Sequence, residues 1–138
     1  MTIDLQNLPL GYAGDVTVQQ AFDSWQSGVA VLVDVRSDAE REWVGFVPGV
    51  TLLAFKQWPS MALNPDFDAG LQTAAISGKK LMLLCRSGVR SIAAAKRAAA
   101  LGIEAYNILE GFEGDPDSRG HRGTRGGWQV HGLPWQQN

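Results

Sequence analysis

The chain has 138 residues, of which 45% are hydrophobic and 19% charged, with a net charge of −2. That length suits one domain with a single core, and the composition is that of a soluble globular protein rather than a disordered or membrane chain. The acidic balance and the lack of a Lys/Arg block exclude the electrostatic footprint of a nucleic-acid binder, so no nucleic-acid partner is expected.

Residues 1–14 carry no Lys or Arg and no long apolar run, which predicts no secretory signal and a cytoplasmic protein. The longest apolar stretches, such as Leu81 to Cys85, are far shorter than the roughly 20 residues that cross a bilayer, and no membrane contact is expected. One cysteine, Cys85, excludes an internal disulfide and any multi-thiolate metal site.

Thr17 with Gln20 forms a T-x-x-Q capping box, and Ala21, Phe22 and Trp25 then recur at helical spacing, which predicts a helix over Val18 to Ser27. The β-branched run Val29 to Val33 predicts a strand buried on both faces, ending at Asp34-Val35-Arg36. Ser37 with Glu40 repeats the capping box for a short helix to about Trp43, before Gly45 and Pro48-Gly49 break it. Val50 to Ala54 reads as a short strand, Phe55 to Pro65 as loop, and Pro65-Asp66 to about Ile76 as a helix. Leu81 to Leu84 is apolar throughout and predicts a central strand that delivers Cys85 to its carboxyl end. The alanine-rich stretch Ser91 to Leu101 predicts a helix closed by Gly102, and Ile103 to Leu109 a further strand. Strands alternating with helices make an α/β fold built on a mainly parallel sheet. Trp128, Leu133, Pro134 and Trp135 are expected to anchor the end of the chain on the domain, and the tryptophans Trp43, Trp58, Trp128 and Trp135 either pack or line the entrance of a site.

The chemistry concentrates in Cys85-Arg86-Ser87-Gly88-Val89-Arg90-Ser91, between a buried strand and a helix. Open α/β sheets place their ligand sites there. A loop curling over a helix N-terminus turns backbone N–H groups inward and adds the positive end of the helix dipole, so it stabilises an anion. A thiolate is such an anion, and neighbouring cations favour it further. Arg86 and Arg90 are placed to supply them, while Gly88 permits the tight backbone. Taken alone, a cysteine ending a core strand reads as a small buried hydrophobe. Followed by Arg, Ser, Gly and Arg, it reads as a reactive thiol in an anion cradle.

This segment resembles the active-site loop of single-domain rhodaneses. Asp34-Val35-Arg36 resembles their Asp-x-Arg, Gly45-Phe-Val-Pro-Gly49 their Gly-His-Ile-Pro-Gly, and Leu109-Glu110-Gly111 their Leu-x-Gly-Gly. Gly126-Gly127-Trp128 with Gly132-Leu133-Pro134 is similar to the carboxyl-terminal signature. Phe46 stands in place of the usual histidine and Phe112 in place of a second glycine. The resemblance implies a rhodanese-like α/β fold with a mainly parallel five-stranded sheet and helices on both faces, spanning residues 16–138 after an extension of residues 1–15.

It further implies a sulfurtransferase without cofactor or metal. Cys85 takes a sulfane sulfur from thiosulfate or a persulfide, holds it as a persulfide, and passes it to a thiophilic acceptor such as a thiol or cyanide. In that scheme Arg86, Ser87, Gly88, Val89, Arg90 and Ser91 bind the persulfide and an anionic donor, and Asp34 and Arg36 support the loop. Arg90 either contacts the donor or pairs with Asp34. A persulfide carrier that exchanges sulfur with a protein partner is the alternative. Phosphatases and arsenate reductases of this fold use Cys-x5-Arg, and Ser91 occupies that arginine's position here. The apparent insertion 112–125 is either a lid or docking surface or a solvated loop. His121 and His131 have no sequence-near partner for a triad or metal site and are assigned no role in catalysis.

Overall fold

The structure is a computed structural model that describes residues 7–57 and 59–137. Trp58 lies outside the described residues, as do residues 1–6 of the expected extension.

Five parallel strands form the sheet, in the order β1 (Gly14–Val16), β7 (Ala105–Ile108), β6 (Lys80–Leu84), β2 (Ala30–Asp34) and β3 (Thr51–Leu52). The helices are α1 (Val18–Gln26), α2 (Asp38–Val44), α3 (Phe67–Ala74) and α4 (Arg90–Ala100). Both capping boxes form: Thr17 and Gln20 close the start of α1, and Ser37 and Glu40 close that of α2. The α/β architecture read from the alternating pattern is the one observed.

Alternation along β6 divides the core into two layers, because successive strand residues face opposite sides. Leu81 and Leu83 pack with Val33 beneath α3 and α4, against Phe67, Leu71, Ala94, Ala95 and Ala98. Met82 and Leu84 pack with Leu32 and Ile108 on the other side, against Val18 and Ala21 of α1 and against Trp128 and Leu133. The alanines of α4 let its backbone approach the sheet closely, which fixes where the first turn of that helix sits over the strand ends.

The end of the chain is anchored as expected. Trp128 is fully buried, its indole Nε1–H donates to Pro134 O at 2.8 Å, and its ring meets Phe22 edge to face. Trp135 packs edge to face on Phe112, and Gln136 exchanges two backbone hydrogen bonds with Phe46, each 2.8 Å.

Two features depart from the sequence reading. Strand β1 includes Gly14 and Asp15, which the sequence places before the domain, and its three residues lack an apolar run because β1 is an edge strand paired only with β7. The segment read as loop contains a small antiparallel pair, β4 (Lys56–Gln57) and β5 (Ala62–Leu63). Two-residue strands are too short to generate a readable period.

Candidate functional site

Strands β2 and β6 run in register, with Asp34 beside Leu84, so their next residues, Val35 and Cys85, emerge together at the carboxyl edge. Val35 N–H donates to Leu84 O at 2.9 Å, extending the pairing to the threshold of the cysteine loop. Residues 85–89 then turn directly into α4, which places Cys85 beneath the helix N-terminus.

The loop is braced from behind by the segment that leaves β7. Phe112 N–H donates to Cys85 O at 2.8 Å and Glu113 N–H to Arg86 O at 2.9 Å. Gly111 carries φ +65°, and a Cβ there would lie 2.6 Å from Cys85 O, so the close approach requires glycine. Gly88 carries φ +92°, and a Cβ there would lie 3.2 Å from Glu110 N and 3.3 Å from Ile108 O.

At the centre, Cys85 Sγ accepts the Gly88 N–H at 3.1 Å and lies 3.1 Å from Ser91 Oγ. Gly88 is the loop residue whose amide reaches the sulfur, where the sequence suggests several. The thiol that the sequence reads as reactive is covered in this conformation: only 1% of Cys85 is exposed. The reason is structural, since the loop is folded down over the sulfur and Cys85 joins the core layer shared with α4.

Both arginines face a pocket of about 370 Å³ lined by Ser37, Glu40, Trp43, Met61, Arg86, Arg90 and Glu113, among others. Each is paired with a carboxylate. Arg90 donates from Nη1 and Nη2 to Glu40 at 2.6 and 2.5 Å, and Arg86 Nε lies 3.5 Å from Glu113 Oε2. Burial pushes the Glu40 carboxyl up, but the bonds from Arg90 and Ser37 outweigh it and hold it below its ordinary range. Its bonds and charge with Glu40 raise Arg90 above its ordinary value against the opposing effect of burial, with smaller contributions from the charges of Cys85 and Asp34.

The pairing of Arg90 with Asp34 is therefore corrected. Asp34 is taken instead by Arg36, whose Nη2 donates to it at 2.8 Å and also to Gly45 O at 2.9 Å. Asp34 and Arg36 are fully buried, and the guanidinium of Arg36 stacks over Phe112, 4.1 Å from the ring centroid. Arg36 is two residues beyond Asp34 at the end of the same strand, so it reaches the carboxylate without leaving the core, whereas Glu40 on α2 faces the pocket where Arg90 emerges.

Ser87 is partly buried, Val89 is exposed, and Ser91 is buried in the first turn of α4. Glu113 is the residue of segment 112–125 that lines the pocket. Farther along, the segment winds around Asp117, which accepts the backbone N–H of Arg119 and His121 and the hydroxyl of Thr124. Exposed His131 lies 3.4 Å from Glu110 Oε2, away from the pocket, and exposed His121 does not line it either. Of the tryptophans, Trp43 lines the pocket while Trp128 is core. A larger groove of about 690 Å³ between β5, α3 and α4 contains no residue of the cysteine loop, so the chemistry is read from the smaller pocket.

Glu40, Asn107 and Asp15 escaped the sequence reading as site residues, and Glu113 entered it only as part of the segment 112–125. Glu40 was visible only as a capping residue. Asn107 did carry a signal, as a polar side chain inside an otherwise apolar strand.

The match that assigns the chain covers residues 17–115 and is to the Rhodanese-like domain. This chain belongs to the rhodanese-like domain family. Among solved structures, this rhodanese-like domain is similar to Rv0390 from M. tuberculosis, at 41% identity and a TM-score of 0.83, covering 92% of this chain and 99% of that one. It resembles in fold a rhodanese-like domain protein from Staphylococcus aureus, at 23% identity and a TM-score of 0.57, covering 71% and 86% of the two chains. An uncharacterized protein of Rickettsia prowazekii (strain Madrid E) is 36% identical over 112 residues, covering 78% of this chain and 83% of that protein. Among the described residues no helix is long and apolar enough to cross a membrane, and no cluster of three or more His, Cys, Asp or Glu is arranged to hold a metal ion.

Proposed function

We propose that this rhodanese-like domain is a sulfurtransferase that moves sulfane sulfur through a persulfide on Cys85. The observation that carries the reading is the position of Sγ, at the end of the central strand, under the N-terminus of α4 and within 3.1 Å of the Gly88 N–H. That surrounding favours an anion on sulfur, the form that attacks a donor.

With thiosulfate as donor, the Cys85 thiolate attacks the outer sulfur. A new S–S bond forms at Cys85 while the donor's S–S bond breaks, its electron pair leaving on sulfite. A nucleophilic acceptor then attacks the terminal sulfur of the persulfide, and the cysteine S–S electron pair returns to Sγ. The two halves balance without an external oxidant or reductant, so the cycle needs neither cofactor nor metal. In this reading Arg86 and Arg90, which line the pocket, meet an anionic donor, Ser87 and Gly88 border the persulfide, and Val89 and Ser91 complete the loop. Because the thiol is 1% exposed, the loop has to lift for sulfur to enter.

The test is thiosulfate-dependent formation of thiocyanate from cyanide, comparing the parent with Cys85→Ala. The proposal expects turnover by the parent alone, and equal rates in both proteins would refute it.

A second reading, a carrier loaded and discharged by protein partners, draws on the covered thiol and on the pairing of both pocket arginines with glutamates. A small dianion then meets a pocket whose nearby charges are offset. Loading by a protein persulfide with no discharge to cyanide or a small thiol would favour the carrier, whereas rapid discharge favours the enzyme. A phosphatase mechanism draws no support from the site, because Arg90 is committed to Glu40 and Ser91 stands where the phosphate-binding arginine is required.

A further inference from the structure

A chain of hydrogen bonds runs from the cysteine to the surface. Ser91 Oγ lies 2.5 Å from Asn107 Oδ1, Asn107 Nδ2 donates to Asp15 Oδ1 at 3.0 Å, and the Tyr12 hydroxyl donates to the same Asp15 oxygen at 2.8 Å. Ser91 and Asn107 are buried, whereas Asp15 on β1 is exposed.

The proton directions along this chain follow from which groups can donate. A carboxylate only accepts, so the amide nitrogen of Asn107 must face Asp15, and its carbonyl oxygen must face Ser91. A carbonyl oxygen also only accepts, so the single hydroxyl proton of Ser91 points at Asn107. What Ser91 presents to Cys85 is a lone pair. The 3.1 Å contact is then an S–H donating to Ser91 Oγ, and a sulfur anion in the same place would meet that lone pair instead of a proton.

We infer that Asp15, through Asn107, is a positioning residue that holds the Ser91 hydroxyl away from sulfur and opposes the anionic form of Cys85. Forming the anion with Ser91 as donor requires three linked moves. The thiol proton leaves for solvent, Ser91 turns its O–H to sulfur, and Asn107 turns its amide so that Nδ2 donates to Ser91 Oγ. The last move brings Asn107 Oδ1 against the carboxylate of Asp15, two acceptors face to face, which is why Asp15 resists it. The other charged groups near the thiol are Arg90 with Glu40, Asp34 with Arg36, and Arg86 with Glu113. Tyr12, whose hydroxyl is pushed up to about 12 by burial and by Asp15, stays neutral at moderate pH and keeps Asp15 as an acceptor.

The inference rests on the reading of Cys85 as the reactive group, but its test reads the thiol itself, so the two can fail separately. With a single cysteine, the ultraviolet absorbance of the thiolate as pH rises reports Cys85 after subtraction of a Cys85→Ser blank. Asp15→Asn lets position 15 donate to Asn107, so the midpoint is expected to fall by about 0.5–1 pH unit, a roughly three- to tenfold gain in thiolate at fixed pH. In a Ser91→Ala background the same substitution is expected to leave the midpoint where it was. A shift that persists undiminished in that background would show simple loss of a nearby negative charge and overturn the relay. No shift on Asp15→Asn in the Ser91-containing protein would overturn it as well.

Discussion

Arg90, the first residue of α4, and Glu40, the third residue of α2, are joined by two hydrogen bonds of 2.6 and 2.5 Å across 50 positions of sequence. The same Glu40 carboxylate accepts the backbone N–H and hydroxyl of Ser37 at 3.2 and 3.0 Å. One side chain thus closes the start of α2 and fixes the last cation of the cysteine loop.

Glu40→Gln should therefore act at two levels. Loss of the charge-assisted pair is expected to cost roughly 1–2 kcal/mol of stability, measured by urea unfolding. The released guanidinium adds positive charge to the pocket, so the KM for thiosulfate is expected to fall severalfold. A KM that stays constant or rises would count against Arg90 as a donor-facing cation.

The pH dependence of that pair has a definite sign. The Glu40 carboxyl is held below its ordinary range, so the pair's contribution is fully present above the ordinary glutamate value and is lost as pH falls through the lowered one. Melting temperatures of the parent and Glu40→Gln should differ most near neutrality and draw together as the pH falls below the ordinary glutamate range. A gap that widens on acidification would reverse the assignment.

Gly111→Ala tests the brace behind the loop. The new methyl group would sit 2.6 Å from Cys85 O and 2.7 Å from Ser87 N, at φ +65°. Backbone atoms cannot swing aside as side chains do, so the expected cost is at least about 2 kcal/mol, with sulfurtransfer falling even where the protein remains folded. Urea unfolding and thiocyanate formation measure the two effects separately.

Beneath the site, Arg36→Ala would leave the Asp34 carboxylate buried without its cation, at an expected cost of about 3–5 kcal/mol. The double variant Asp34→Asn, Arg36→Met is expected to recover much of that loss, because it removes both buried charges. Failure of the double variant to exceed the single one in urea would show that the pair contributes more than mutual neutralisation.

The fold was legible where local chemistry and burial agree. Thr17 with Gln20 and Ser37 with Glu40 announce helices that their side chains close, and the apolar Leu81 to Leu84 could only be a strand covered on both faces. Strand β1 was hidden because an edge strand of three residues, Gly14–Val16, draws its stability from β7 rather than from its own composition. The cysteine loop was legible from Cys85 through Ser91 as a run. Its partners were not, because Glu40, Glu113 and Asn107 reach it through tertiary contacts that no sequence spacing encodes. The pairing of Asp34 was misread in the opposite way: the sequence reading weighed the distant Arg90, whereas Arg36, two residues along and already inside the core, takes the carboxylate.

The most direct test of the central claim is the intact mass of the protein after incubation with thiosulfate, for the parent and for Cys85→Ala. The account predicts a gain of one sulfur atom on the parent, reversed by dithiothreitol, and no gain on the variant. An unchanged parent mass under conditions that load a control sulfurtransferase, or the same gain on Cys85→Ala, would contradict it.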